Sequence, residues 1–258
     1  MTRIAVRAWL VFLLVPACAY LALCAFLYFG QRSQIYFPVR ESDPPGATAI
    51  RLAGDGVELK VWALARSGPE ALVYFGGNAE DVAENLAPFA AAFPDHSLYL
   101  VNYRGYGGSG GEPSEQGLFA DARAIFDQLR ARHPEISVIG RSLGSGVAAR
   151  LASEREVRRL VLVSPFDSLV NVARKHFPYF PVRLMLRDRY DSLSRVPAIR
   201  ARTLIVIAGA DEIIPRARSD ALLAAFPASQ VEVMVLEGAT HNDPMPQYLE
   251  RAARFLAQ

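Results

Sequence analysis

The 258-residue chain is 52% hydrophobic and 21% charged, with 18 glycines, 17 prolines and a net charge of +2. That composition belongs to an ordered globular protein and excludes a disordered polyelectrolyte, a collagen-like repeat and a heptad rod. So small a charge leaves no electrostatic footprint for nucleic acid, and Cys18 and Cys24 supply neither a disulfide framework nor a cysteine metal site. Of the 28 basic residues only Lys60 and Lys175 are lysine, which reads as the codon habit of a GC-rich bacterial genome.

Residues 8–30 carry no charge. At about 1.5 Å of rise per helical residue such a run crosses a hydrocarbon core of about 30 Å. Arg3 and Arg7 precede it and Arg32 and Arg40 follow, a slight positive-inside bias for a cytoplasmic N-terminus. Trp9, Tyr20, Tyr28 and Tyr36 are interfacial anchor types, and Pro16 is tolerable in a membrane helix. The reading is an uncleaved signal anchor over 1–30, with the rest of the chain outside the cytoplasm, in the periplasm if the cell is Gram-negative. A cleaved signal, a lipoprotein signal at Cys18 and a buried helix of the globular part are the alternatives.

After a Pro/Gly-rich entry at Asp43-Pro44-Pro45-Gly46, apolar runs at 59–64, 71–75, 97–101, 136–139, 160–163, 203–208 and 231–236 alternate with helical patterns at 80–93, 114–132, 145–154, 218–226 and 245–256. Continuous apolar strands separated by helices predict a mostly parallel sheet covered on both faces, an α/β fold, in one domain over 36–258. Residues 166–202 interrupt the rhythm and read as an insertion packed over the sheet. Eight basic side chains from Arg174 to Arg202 face only Asp188 and Asp191 there, so the insertion is expected to meet anionic headgroups, while Phe177, Tyr179, Phe180, Leu184, Met185 and Leu186 could admit an acyl chain.

Gly140-Arg141-Ser142-Leu143-Gly144 follows the 136–139 strand and precedes a small-residue helix. This is the G-x-S-x-G pattern of a nucleophile elbow, a tight strand-to-helix turn that presents a serine hydroxyl above the sheet. Serine needs a base, and the base needs an acid to fix its tautomer. His241 lies after the 231–236 run and Asp211 directly after the 203–208 run, so Ser142, Asp211 and His241 follow one another at strand ends in the order of an α/β triad. Asp167, after the 160–163 run, is a competing acid, and Glu212 a poorer one. His96, His133 and His176 have no motif around them.

An oxyanion needs N–H donors. Leu143, next to the nucleophile, offers one, and the loop Gly76-Gly77-Asn78-Ala79 after the 71–75 run offers the other, from Asn78 or, failing that, Gly77. The stretch Gly105-Tyr106-Gly107-Gly108-Ser109-Gly110 satisfies G-x-G-x-x-G, but no N-terminal strand–helix unit opens there and it reads as a structural turn.

Taken together, Gly76-Gly77-Asn78, Asn102-Tyr103-Arg104-Gly105-Tyr106-Gly107, Gly140-Arg141-Ser142-Leu143-Gly144, Ser164-Pro165-Phe166-Asp167-Ser168-Leu169, Asp188-Arg189-Tyr190-Asp191-Ser192 and Gly209-Ala210-Asp211-Glu212-Ile213-Ile214-Pro215 resemble the α/β-hydrolase-fold serine hydrolases. The small membrane-anchored branch that includes depalmitoylases and lysophospholipases is the most similar. The resemblance covers about 35–258 and implies Ser142 as nucleophile, Asp211 as acid and His241 as base. The branch commonly has His-Gly-Asn where this chain has Gly76-Gly77-Asn78.

These features lead to a hydrolase of carboxylic esters or thioesters, of lipid or acylated substrates, with no metal or cofactor and with the membrane reached through the N-terminal helix. A peptidase of the same fold and a non-catalytic membrane-anchored binding protein are the rival readings. A dehalogenase or epoxide hydrolase would need an aspartate at position 142.

Overall fold

A computed structural model describes residues 3–43, 48–243 and 246–258. Most of the entry turn at 43–46, the Trp9 side chain and Met245 lie outside the described residues. Among the described residues eight strands form one sheet, in the order β1-β2-β4-β3-β5-β6-β7-β8. The strands are β1 (Thr48–Ala53), β2 (Glu58–Leu64), β3 (Glu70–Phe75), β4 (Ser97–Val101), β5 (Glu135–Arg141), β6 (Arg159–Val163), β7 (Arg202–Ala208) and β8 (Val231–Leu236). From β4 to β8 every pairing is parallel, and β1 and β2 add an antiparallel margin.

The seven apolar runs are all strands. The central ones are largely apolar because the sheet has a core on each side. Val73 and Phe75 of β3, Val138 of β5 and Ile205 of β7 face one way, against α3 (Glu115–Arg130) and α4 (Leu143–Glu154). The alternate residues Tyr74, Ile139 and Val206 face the other way, against α2 (Leu86–Ala92) and α8 (Pro246–Leu256). β1 was not foreseen. It lies at the margin, exposed on alternate residues, so its TAIRLA sequence carries no buried run. The pattern over 80–93 divides into a 3-10 turn, Val82–Asn85, and α2.

The N-terminal run forms α1 (Arg3–Ile35), with Pro16 inside it. Its part from Phe12 to Ile35 contains an 18-residue stretch of mean hydropathy 2.2 and is long and apolar enough to cross a membrane. Tyr36, expected as an interfacial anchor, is instead 3% exposed. Its hydroxyl lies 2.8 Å from the Tyr190 hydroxyl and donates to Asp188. Between β6 and β7 the chain forms α5 (Leu169–His176) and α6 (Val182–Met185). Helix α7 (Arg216–Leu223) follows β7.

The glycine-rich loop 105–110 is a turn. Gly105 N–H bonds to Gly110 O, and Gly105, Gly107 and Gly108 all have positive φ, a conformation that glycine adopts without steric cost.

Candidate active site

Ser142 sits where β5 ends and α4 begins, with φ 51° and ψ −118°. A non-glycine residue holds such a backbone only when its surroundings over-determine it. Two glycines make that possible. A Cβ on Gly144 would stand 2.0 Å from Phe75 O, and one on Gly140 would stand 2.3 Å from Gly144 O. Strand and helix therefore cross at a distance that only glycine permits. The Ser142 N–H is tied to Val163 O on β6.

The structure brings Ser142, His241 and Asp211 into one line. Ser142 Oγ is 2.9 Å from His241 Nε2, and His241 Nδ1 is 2.7 Å from Asp211 Oδ2. Ser142 and His241 are buried, and the Asp211 side chain is 3% exposed. Asp211 Oδ1 accepts from the N–H groups of Ile213 and Ile214, which fixes the carboxylate and turns Oδ2 to the imidazole. Nδ1 facing a carboxylate carries the proton, so Nε2 is left to accept from the serine hydroxyl.

Asp167, the competing acid, is occupied elsewhere. It accepts from Ser168 N–H and Asn171 Nδ2 and pairs with Arg218 at 3.1 Å. Glu212 touches the histidine only through its backbone N–H. The other histidines have structural partners: His133 Nε2 lies 2.8 Å from the Tyr99 hydroxyl, His96 faces Glu70, and His176 Nε2 faces Ile213 O.

Of the loop donors, the Gly77 N–H is committed to Glu80 Oε2 at 2.5 Å, which leaves Asn78 as the candidate beside Leu143. The Asn78 side chain is a staple. Its Oδ1 accepts from Phe37 N–H and the Tyr106 hydroxyl, and its Nδ2 donates to Ile35 O.

Sequence reasoning missed the pair beneath the triad. Glu80 accepts from Gly77 N–H, the Tyr74 hydroxyl, Asn85 Nδ2 and Arg141 Nη1. Arg141 then donates through Nη2 to His241 O. Burial alone would lower the Arg141 pKa, but the charge and hydrogen bond of Glu80 outweigh it and the net shift is upward. Tyr74 is raised by burial and by Glu80. The signal was present: a charged residue at the end of a buried strand needs a partner.

An apolar cavity of about 320 Å³ opens at Ser142. Its lining includes Leu143 and Asn78, Val172 and Phe177 of the segment after β6, and Leu27 and Ile35 of α1.

Comparison with known proteins bears on the fold and family. Residues 70–189 match the family model of the alpha/beta hydrolase fold. The chain is 39% identical over 253 residues to an uncharacterized protein of Mycobacterium tuberculosis, covering 89% of each. It is 30% identical over 244 residues to alpha/beta hydrolase domain-containing protein 17B of Xenopus laevis, covering 90% of this chain and 82% of that one. Among solved structures, an esterase of Pyrococcus furiosus has a TM-score of 0.71 at 20% identity, over 86% of this chain and 98% of its own. A hydrolase of Pseudomonas aeruginosa has a TM-score of 0.64 at 17% identity, over 83% and 99%. These two share the fold.

Proposed function

The chain belongs to the alpha/beta-hydrolase family, and on that premise we propose that it is a serine hydrolase cleaving carboxylic esters or thioesters through an acyl-enzyme on Ser142. The observation that carries this reading is the buried line Asp211–His241–Ser142 at the mouth of an apolar cavity.

In this mechanism neutral His241 takes the Ser142 proton at Nε2 as Oγ attacks the substrate carbonyl. Asp211 holds the Nδ1–H and stabilises the imidazolium that forms. The Leu143 and Asn78 N–H groups face the developing oxyanion, assisted by the positive end of α4. His241 then returns its proton to the leaving alcohol or thiol. A water deprotonated by His241 attacks the acyl-enzyme, and the acid leaves with Ser142 regenerated. The apolar lining suits an acyl chain better than a peptide backbone, whose polar groups would be left unpaired there.

In the same reading residues 1–30 are a membrane anchor with a cytoplasmic N-terminus. Residues 36–258 are the hydrolase domain outside the cytoplasm, and 166–202 are an insertion over its site. Arg174, Lys175, Arg183 and Arg187 on that insertion are exposed, as contact with anionic headgroups requires.

The test is fluorophosphonate labelling of the full chain in detergent micelles, with Ser142→Ala alongside, followed by p-nitrophenyl esters of increasing length. Labelling confined to the wild type and turnover that rises with acyl length support the reading. A folded wild type that does not label sinks it.

A further inference from the structure

An anchor that only tethers a domain has no reason to touch its active site. Here the last turns of α1 do. Leu27, Tyr28, Gln31 and Ile35 line the cavity that opens at Ser142, together with Val172 and Ala173 of α5.

The contact is built residue by residue. Gln31 is 7% exposed. Its Nε2 donates to Met185 O and its Oε1 accepts from Arg187 N–H, so one amide brackets the backbone after α6. About three turns toward the N-terminus, the Tyr20 hydroxyl donates to Tyr179 O and its ring stacks on Phe180 with centroids 5.9 Å apart. At the lower end Arg32 pairs with buried Asp188 at 3.1 Å, and Asn78 Nδ2 holds Ile35 O. Helix, insertion and the loop beside the nucleophile are thereby fixed to one another around the cavity.

The outer surface continues the same chemistry. Tyr179 is 85% exposed and Leu184 84%, and on α1 Phe26 and Phe29 are 70% and 79% exposed. Apolar surface therefore runs along both the helix and the insertion that together enclose the cavity. A ligand with its carbonyl at Ser142 and an apolar tail between α1 and α5 would extend toward that surface.

We propose that the C-terminal turns of α1 form one wall of the substrate site, so that the helix read as an anchor also selects the acyl group. The occupant is the linear acyl chain of an ester or thioester resident in the membrane that α1 enters. This rests on the proposed function and adds to it a specificity element outside the hydrolase domain. Each further methylene placed on this wall is worth roughly threefold to fourfold in affinity.

The experiment uses the full chain in phosphatidylcholine nanodiscs with a dodecyl fluorophosphonate bearing a diazirine near the chain end. After attachment to Ser142 and irradiation, cross-linked peptides are mapped by mass spectrometry. Cross-links in residues 27–35 as well as in 166–186 are expected. In parallel, Leu27→Trp lowers the laurate-to-acetate ratio of kcat/KM for p-nitrophenyl esters about tenfold, whereas Phe26→Trp, on the outward face, leaves that ratio alone. A long-chain lysophospholipid and an S-palmitoyl peptide, each in the same nanodiscs, distinguish the source of the acyl chain. Whichever is turned over, its rate falls in Leu27→Trp. Attachment to Ser142 with cross-links confined outside α1 overturns the wall while leaving the hydrolase reading intact. Absence of attachment overturns both.

Discussion

The Arg141 guanidinium donates to the Glu80 carboxylate across 2.9 Å, joining the last residue of β5 to the loop after β3. Both side chains are largely buried, at 18% and 11% exposure. The pair reaches Gly77 on one side and His241 O on the other. Arg141→Ala strands the carboxylate and is expected to cost about 3–5 kcal/mol of stability. It also frees the His241 loop, and kcat is expected to fall up to about a hundredfold as the imidazole loses its position. Arg141→Lys, which keeps the charge near Glu80 but has no second arm for His241 O, recovers melting temperature more than kcat. Thermal melts and steady-state kinetics on the same preparations separate the two effects. Equal recovery of both would show that the pair only stabilises.

Two aspartates follow neighbouring strands, and mutation separates their roles. Asp211→Asn is expected to lower kcat by about four orders of magnitude with the fold intact, because the amide stabilises the wrong imidazole tautomer. Asp167→Asn loses its ion pair with Arg218. It is expected to lose about 1–3 kcal/mol of stability while retaining turnover. The reverse pattern would exchange the two assignments.

Gly144→Ala places a methyl 2.0 Å from Phe75 O, a backbone atom in the middle of the sheet. A cost of about 3 kcal/mol or more is expected, as for other overpacked cores. Gly30, in α1, has nothing within 4 Å of the same position, and Gly30→Ala is expected to leave the melting temperature unchanged or raise it. Denaturation of the two variants side by side checks the close crossing that the elbow needs.

His96 and His133 have pKa values lowered chiefly by burial. A base whose folded pKa lies below its unfolded one binds more protons when unfolded, so stability rises with pH between the two values. The melting temperature is therefore expected to fall as pH drops from about 7 through the ordinary histidine range near 6.5. The slope is expected to shrink in the His96→Gln, His133→Gln double variant. An unchanged slope would move the acid sensitivity to other groups.

The sheet was legible where burial on both faces forces unbroken apolar runs, as in β3 to β7. It was illegible in β1, where one face meets solvent and Arg51 interrupts the apolar residues. The candidate triad could be read because a strand-to-helix turn confines glycines and serine to fixed spacing, and because the proposed base and acid follow strands of their own. Glu80 and Arg141 could not be paired from sequence, since 61 positions separate them and only the parallel neighbouring of β3 and β5 brings them together. Asp211 was favoured over Asp167 from its place in the triad order, but the direction each carboxylate turns could not be read: Asp211 faces His241, held by the Ile213 and Ile214 amides, and Asp167 faces Arg218.

Helix α1 ends at Ile35, and Tyr36 is already under the Asp188 and Tyr190 side chains. The joint has no slack. In the proposed reading of α1 as an anchor, this joint holds the body against swinging above the bilayer, and the height of Ser142 over that plane becomes a constant of the molecule. For the proposed membrane-resident substrate, encounter is then a two-dimensional search by lateral diffusion, and the distance of a scissile bond from the surface becomes a selection rule in its own right.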